Sequence, residues 1–255
     1  TGVVQRYVGE NVSVSLDDKT DALLMKSEQI RGEVFKPTER IKLYVVEVKN
    51  TTKGPKVTVS RTHPELVKRL FEAEVTEVRD GTVEIKSIAR EAGSRTKIAV
   101  WSNDPDVDPV GACVGMNGAR VGAVVNELRG EKIDIINWSD NPAILIENAL
   151  SPAKVISVMA DPDERTASVI VPDYQLSLAI GKEGQNARLA ARLTGYKIDI
   201  KSETQAKEMG LFEQMGLQYG DAPAPSYEEE NAEDAEQEAT EEPAQDDYQE
   251  ENNEQ

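Results

Sequence analysis

The chain has 255 residues, a formal net charge of −18, one cysteine and one histidine. A single cysteine excludes an internal disulfide and a cysteine-rich zinc site, and it indicates a reducing, cytoplasmic compartment. No apolar run approaches the roughly 20 residues that span a bilayer, so the composition predicts no membrane partner.

The acidic residues are concentrated at one end of the chain. Residues 211–255 hold 16 acidic residues and no lysine or arginine, which leaves 31 acidic and 29 basic residues, a net charge of −2, in residues 1–210. Residues 31–61 carry a net charge of +5, and residues 174–201 carry +3. Because the local distribution of charge decides binding, the total charge does not exclude a nucleic acid as partner.

Residues 1–62 predict a small all-β domain. Five apolar or alternating stretches are separated by Gly, Asn, Asp and Lys: TGVVQRYV, NVSVSL, ALLM, IKLYVVEV and KVTVSR. Five strands in about 60 residues are typical of a barrel of the OB type, and an SH3-like barrel is the alternative. The chain begins inside the first of these strands and without a methionine, so we expect an N-terminal portion to precede it.

From residue 63 the predicted elements follow the same order twice. The first set is helix 63–73, strands 82–88 and 96–101, helices 107–114 and 119–128, and strand 132–137. The second set is helix 142–150, strands 154–159 and 166–171, helices 173–180 and 185–194, and strand 197–201. The order α-β-β-α-α-β is the layout of a type II KH domain, which assigns one domain to residues 63–140 and another to 141–202. Thr62 and Glu65 are predicted to form the capping box of the first helix, and His63, which has no partner at metal-ligand spacing, is expected to be structural.

A glycine turn is repeated between the last two helices of each set. GMNG (115–118) leads through a helix to KIDI at 132–135, and GKEG (181–184) leads through a helix to KIDI at 197–200. One such turn alone is a weak signal, but repetition of the whole frame at nearly the same spacing indicates duplicated domains. A tight glycine turn at a helix N-terminus presents backbone N–H groups to an anion such as a phosphate.

Residues 203–255 predict an acidic tail. A helix over 204–215 is followed, from about residue 217, by a segment with almost no large aliphatic side chains, which cannot bury enough surface to offset its chain entropy. The expected fold class is therefore multidomain α+β: an N-terminal OB-type barrel, two type II KH domains and a disordered acidic tail.

Over about 200 residues the sequence resembles the NusA family of bacterial transcription termination/antitermination factors. The resemblance is carried by SRTHPELVKRLFEAEV (60–75), REAGSRTKIAVWSND (90–104), DPVGACVGMNGARV (108–121), ELRGEKIDII (127–136) and LAIGKEGQNARLAARLTG (178–195). It implies that the barrel is an S1-type RNA-binding domain. It also implies a factor that contacts nascent RNA, RNA polymerase and other Nus factors, and that modulates pausing, termination and antitermination. The polymerase-docking domain of the family is not among these 255 residues, and we expect a short acidic tail in place of the acidic repeat domains of some members.

The KH layout predicts a clamp for single-stranded RNA, with about four nucleotides per domain and phosphates against the glycine turn. The candidate RNA-binding residues are Gly115, Met116, Asn117, Gly118 and Arg120 at the first turn, and Gly181, Lys182, Glu183, Gly184, Gln185, Asn186 and Arg188 at the second. The glycines are expected because a side chain at these positions would block the phosphodiester. Lys182 and Arg120 are expected to be cationic contacts. Gln185 and Asn186 are expected to form hydrogen bonds with base edges or sugar. Arg192 and Lys197 either add further cationic contacts for the RNA backbone or only lie on a solvated face of their elements.

Two further surfaces are candidates for RNA contact. The stretch REAGSRTK supplies Arg90, Arg95 and Lys97, for which a solvated hairpin loop is the alternative. The barrel supplies Arg6, Tyr7, Phe35, Lys42 and Tyr44 as a surface for stacking bases, with the core as the alternative place for Phe35 and Tyr44.

No catalytic, metal or cofactor site is expected. The aspartates at 104, 106 and 108 lack the glycine and glutamate of a calcium loop, no Walker A sequence occurs, and one histidine cannot complete a catalytic triad. We therefore expect a monomeric, non-enzymatic RNA-binding transcription factor. The alternatives are an RNA-binding accessory module of an RNA-processing exoribonuclease and a ribosome-associated protein. Exoribonuclease chains place KH before S1 and after a catalytic core, and the tandem KH pair argues against the ribosomal alternative.

Overall fold

The computed structural model describes residues 1–17, 20–52 and 54–211. The acidic segment predicted to be disordered lies outside these residues, as does the last part of the helix predicted for residues 204–215. Within the described residues, no helix is long and apolar enough to cross a membrane.

Residues 2–60 form one six-stranded sheet. Its strands are β1 (Gly2–Val8), β2 (Asn11–Ser15), β3 (Asp21–Leu24), β4 (Arg40–Ile41), β5 (Tyr44–Thr51) and β6 (Gly54–Ser60). The order is β4-β1-β2-β3-β6-β5, and every pair is antiparallel except β3 with β6. Among the described residues no pairing joins β4 to β5, so closure into an OB-type barrel stays a prediction.

The single strand predicted from IKLYVVEV is divided in the structure. β4 pairs with β1 and β5 pairs with β6, and only Lys42 and Leu43 separate them. The Lys42 carbonyl accepts a hydrogen bond from Arg61 Nη1 at 2.9 Å, and the Lys42 N–H donates to Glu127 Oε1 at 3.0 Å. These contacts hold the backbone at the break and tie the sheet to the following domain.

Residues 64–137 form the first unit. Its elements are α1 (Pro64–Glu74), α2 (Thr76–Arg79), β7 (Val83–Glu91), β8 (Arg95–Ser102), α3 (Pro109–Val114), α4 (Ala119–Glu127) and β9 (Lys132–Asn137). β8 is the central strand, antiparallel to β7 and parallel to β9. The helices cover one face of this sheet through a core that includes Phe71, Ile98 and Val124. The predicted α-β-β-α-α-β order is confirmed, with the short helix α2 added.

Residues 142–208 form the second unit with the same sheet pattern. Its elements are α5 (Pro142–Ala149), β10 (Ser157–Asp161), β11 (Thr166–Val171), α6 (Leu176–Ile180), α7 (Gln185–Thr194), β12 (Lys197–Ser202) and α8 (Glu203–Glu208). β11 is central, antiparallel to β10 and parallel to β12. A 3₁₀ turn over Asp173–Gln175 precedes α6, and together they fill the predicted helix 173–180.

The second unit also covers the outer face of the first unit's sheet. Helix α7 contacts β7 and β8, and α5 contacts β9. Ala89 and Ala99 of that sheet are buried in one cluster with Leu145 and Leu189 of these helices. Two alanines on the sheet let the helices approach closely, and the shared core fixes the spacing of the two glycine turns.

The start of α1 corrects one prediction. The Nδ1 atom of His63 accepts the Glu65 N–H at 3.2 Å, so His63 caps the helix. Thr62 does not, because its hydroxyl lies 3.2 Å from the Ser60 hydroxyl instead. The His63 ring also stacks on Tyr44, with centroids 4.5 Å apart, which confirms that this histidine is structural.

Candidate nucleic-acid interface

The two glycine turns have the same backbone conformation. The opening glycines, Gly115 and Gly181, have φ 75°, ψ 174° and φ 77°, ψ 169°. The third residues, Asn117 and Glu183, have φ 51°, ψ 31° and φ 53°, ψ 26°. The closing glycines have φ 72°, ψ 15° and φ 73°, ψ 16°. The chain therefore builds one loop shape twice, each time between two helices.

The opening glycines are required by backbone conformation and by packing. A positive φ combined with an extended ψ is accessible essentially only to glycine. A Cβ on Gly115 would lie 2.7 Å from Arg120 Cγ, and a Cβ on Gly181 would lie 2.8 Å from the backbone nitrogen of Asn186. Close contact between each turn and the helix that follows it thus adds a structural requirement to the predicted need for space at the phosphodiester.

Arg120 and Asn186 occupy equivalent positions, each the second residue after the closing glycine, and both brace their turn. Arg120 Nη1 donates to the Ala112 carbonyl at 2.7 Å and to Glu77 Oε2 at 2.9 Å. Asn186 is 6% exposed, and its Nδ2 donates to carbonyls of the preceding helices at 3.0 and 3.1 Å. The structure corrects the prediction for Asn186, because a buried side chain engaged by backbone cannot bond to bases, and it pairs the guanidinium of Arg120 with a carboxylate.

The middle residues of both turns project into solvent. Met116 is 85% exposed, and Asn117, Lys182 and Glu183 are at least partly exposed as well. Lys182 forms no ion pair with any residue that the structure describes. The first turn thus offers backbone groups and a flexible apolar side chain, and the second adds an available cation.

Gln185 and Arg188, at the start of α7, meet a carboxylate of the first unit. Arg188 donates from Nε and Nη2 to the two oxygens of Glu91 at 2.5 and 3.1 Å. Gln185 Nε2 donates to Glu91 at 3.0 Å and to the Ser94 hydroxyl at 2.7 Å. These hydrogen bonds, Arg188 first among them, lower the pKa of Glu91 to about 2, so the carboxylate stays ionised near neutral pH.

Two of the three cations of REAGSRTK are buried, and all three are ion-paired. Arg90, whose side chain is 1% exposed, binds Glu131 with both ends of its guanidinium at 2.8 and 2.9 Å. Lys97 is fully buried, 3.0 Å from Asp134, and donates to a backbone carbonyl of the second unit at 2.7 Å. Arg95 binds Asp134 with two hydrogen bonds. The prediction is wrong for Arg90 and Lys97, since both are sealed from solvent, whereas Arg95 is ion-paired but partly exposed and its RNA contact stays a prediction.

Burial and charge pairing act against each other in these pairs. Burial alone would raise the pKa of Glu131, but the hydrogen bonds and charge of Arg90 outweigh it and the pKa is lowered. Burial likewise lowers the pKa of Lys97, and the nearby Asp134 opposes that change. These pairs stabilise the first unit, because removal of one member would leave the other as a buried, unpaired charge.

The aromatic candidates of the N-terminal domain differ in whether they are accessible to RNA. Phe35 is 2% exposed and lies under the guanidinium of Arg129, 4.9 Å from its ring centroid, so it is not available to stack on a base. Tyr44 is engaged by the His63 ring. Tyr7 is 45% exposed, and Arg6 and Lys42 are exposed with it, so these three stay candidates.

Sequence reasoning missed the carboxylates that face these cations. Glu91, Glu131 and Asp134 each bind an arginine that lies 39 to 97 residues away in the chain. No local pattern reports a partner at that separation. The only sequence signal is the presence of acidic residues within or near the segments whose basic residues predict an RNA contact.

Two α-β-β-α-α-β units, each with a Gly-X-X-Gly turn between its last helices and a sheet with one antiparallel and one parallel pair, define a tandem type II KH protein. Comparison with known families agrees: the NusA-like first KH domain matches residues 61–138, and the NusA-like second KH domain matches residues 142–208.

The sequence matches to named relatives include the N-terminal sheet as well as the two KH units. The chain is 62% identical over 212 residues to the transcription termination/antitermination protein NusA of Bacillus subtilis, 60% over 213 residues to that of Halalkalibacterium halodurans, and 52% over 210 residues to that of Mycobacterium tuberculosis. These matches cover 83%, 84% and 79% of this chain. The chain belongs to the NusA family.

The chain matches only part of each relative. The chain spans 57%, 56% and 60% of their respective lengths, so it corresponds to little more than half of each. What the whole relatives do is therefore carried to this chain only as a proposal.

Proposed function

We propose that this chain is a non-enzymatic RNA-binding segment of a transcription factor, which holds nascent single-stranded RNA on two KH domains and modulates pausing, termination and antitermination by RNA polymerase. The observation that carries the proposal is the pair of glycine turns with matching backbone angles and solvent-exposed middle residues. The names of the relatives, transcription termination/antitermination protein NusA, supply the process.

In this proposal the two turns bind by different means. At each turn the backbone approaches the phosphodiester where glycine leaves space, and the exposed tips lie beside the strand. Lys182 adds a charge at the second turn, with Glu183 next to it, whereas Met116 and Asn117 add none at the first. Binding at the second turn should therefore depend more strongly on salt.

The partners of the whole protein follow from the family resemblance. RNA polymerase and other Nus factors are proposed as partners on that basis, and the N-terminal sheet is proposed to be an S1-type module of the OB class. Its strand order leaves β4 and β5, which are consecutive in the chain, at the two edges of the sheet. Tyr7 and Arg6 are the residues with which we propose that it contacts RNA, because both are exposed.

The test replaces the tips of the turns and leaves the glycines in place. We expect Lys182→Asp with Glu183→Asp to weaken binding of a single-stranded RNA at least about tenfold, because it removes the available cation and adds repulsion at the phosphates. Met116→Asp with Asn117→Asp should weaken it by repulsion alone. Aspartate tolerates the left-handed conformation of the third position, so the fold should survive and circular dichroism should be unchanged.

The matched control is Lys154→Asp with Glu164→Asp. It makes the same two changes at exposed positions of the second unit outside the turn. Fluorescence anisotropy with one labelled RNA measures all three variants. Equal affinity of the turn variants, the control and the unaltered chain would remove the turns from the binding site and so refute the proposal.

A further inference from the structure

Glu91 occupies an anion-binding position at the second glycine turn. Its carboxylate receives two hydrogen bonds from Arg188, one from Gln185, and lies 3.5 Å from Arg192 Nη1. Three side chains of α7 thus converge on one carboxylate that comes from the end of β7 in the first unit. Two guanidinium groups and an amide around one pair of oxygens form the donor set that also binds a phosphate.

The first turn has no such set. The equivalent positions after its closing glycine, which correspond to Gln185, Arg188 and Arg192, are Ala119, Gly122 and Asn126. The two turns share a backbone but differ in the helix that follows, so the anion position is specific to the second unit.

The Glu91–Arg188 pair is partly accessible to solvent, in contrast to the buried Arg90–Glu131 pair within the first unit. The side chains of Glu91 and Arg188 are 21% and 42% exposed, whereas those of Arg90 and Glu131 are 1% and 0% exposed. A partly exposed ion pair can exchange one partner for a ligand that arrives from solvent, whereas a buried pair cannot open without leaving an unpaired charge in the interior. The Arg188 guanidinium also donates to the carbonyl of Glu183 at 3.0 Å, which keeps it against the turn even when its carboxylate partner leaves.

We propose that Gln185, Arg188 and Arg192 form a phosphodiester site beside the second turn, that Glu91 fills this site in the free protein, and that the backbone of bound RNA replaces the Glu91 carboxylate. The inference rests on the proposed RNA binding and adds to it an internal competitor. Glu91 then lowers the affinity for RNA and keeps other anions out of the site. Its low pKa fits this role, since a competitor has to remain charged at neutral pH.

The test is Glu91→Gln in the full chain, which keeps the shape of the side chain and removes its charge. We expect single-stranded RNA to bind about two- to fivefold more tightly, the range that loss of an exposed competing ion pair allows. The log–log slope of affinity against salt should change little, because the same phosphate contact forms in both complexes once RNA has replaced Glu91. In the Arg188→Gln background the same change should give a much smaller gain, because the site then lacks the arginine that makes two of the hydrogen bonds to the anion.

The matched control is Glu84→Gln on the same strand. The Glu84 side chain is 44% exposed and paired with Lys86, at the opposite end of β7 from the second turn. It reports any general effect of removing one negative charge, which should be much smaller. Weaker or unchanged binding by Glu91→Gln would overturn the inference, and a lowered melting temperature in the same variant would show that Glu91 only braces the two units.

A second measurement needs no variant of Glu91. An NMR titration of its carboxyl group follows the pKa in the free chain and in the RNA complex. Displacement from Arg188 should move the pKa from about 2 toward the ordinary value of a glutamate, and an unmoved pKa would contradict displacement. Failure of the proposed function is recognised separately, since RNA would then bind the turn variants and the unaltered chain equally.

Discussion

At the scale of single residues, the opening and closing glycines of each turn have different reasons to be glycine. Gly181 has φ 77° with ψ 169°, and a Cβ there would lie 2.8 Å from the backbone of α7. Gly184 has the left-handed conformation, which asparagine tolerates, and a Cβ there would have no neighbour nearer than 3.9 Å. A single pattern of two glycines therefore combines two physical constraints.

Substitution by asparagine separates these constraints. We expect Gly181→Asn to cost about 1–3 kcal/mol for backbone strain, with the contact at α7 in addition, and to reduce RNA binding. Gly184→Asn should cost less than about 1 kcal/mol of stability, because asparagine visits the left-handed region, and should still weaken RNA binding through the side chain that it adds beside the phosphodiester. Urea denaturation and fluorescence anisotropy measure both variants. Equal losses of stability at the two positions would contradict the distinction.

Cys113 provides a residue-scale prediction in pH. The thiol is buried in the core of the first unit, and burial, with a smaller contribution from Glu77, raises its pKa to about 11. The unfolded chain releases this proton from about pH 9, so the stabilisation is complete below that pH and is lost as the pH rises through about 11.

The expected slope is a loss of about 1.4 kcal/mol of unfolding free energy per pH unit over that interval. Cys113→Ala lacks the group, so its stability should decline less steeply between pH 9 and 10.5 than that of the unaltered chain. Parallel pH dependence of the two chains would show that the thiol ionises freely in the folded state.

At the scale of elements, the parts that could be predicted are those with local causes. Helix 185–194 and strands 132–137 and 166–171 follow from periodicity, glycine caps and β-branched residues, and the structure has them at those bounds. Whether each cation is free or ion-paired could not be predicted, because the carboxylate partner of Arg90 lies 41 residues away in the chain and that of Arg188 lies 97 residues away. The prediction of one strand over IKLYVVEV is wrong for a related reason, because Arg61 and Glu127, which are distant in the chain, bind the backbone at Lys42.

The packing of α5 and α7 on the first unit's sheet makes an element-scale prediction. Ala99 is fully buried in the core that these helices share with the sheet. Ala99→Leu should overfill this layer and destabilise the chain by about 1–3 kcal/mol. Ala73→Leu, at an exposed position of α1, is the control and should change stability by less than about 0.5 kcal/mol. Equal unfolding midpoints in urea would mean that the layer has room for a larger side chain.

At the scale of the whole molecule, a buried arginine joins the N-terminal sheet to the first unit. The Arg61 side chain is 1% exposed, binds Glu33 from the sheet region at 2.5 Å, and donates to the side chain and the carbonyl of Glu127 at the end of α4. The first and second units are joined by their common apolar layer. Each of the three parts thus buries groups that only a neighbour can satisfy.

We therefore expect residues 1–211 to unfold in one cooperative transition, with equal calorimetric and van't Hoff enthalpies. Arg61→Ala leaves buried Glu33 with only Arg129, 3.8 Å away, as its ion-pair partner among the described residues and should cost about 3–5 kcal/mol. Because this stability is lost only where the N-terminal sheet contacts the first unit, the sheet should then melt separately, before the two KH units. Arg69→Ala, which removes an exposed pair with Glu72 on α1, should keep the single transition. Two transitions in the unaltered fragment, or one in the Arg61 variant, would show that this junction does not couple the domains.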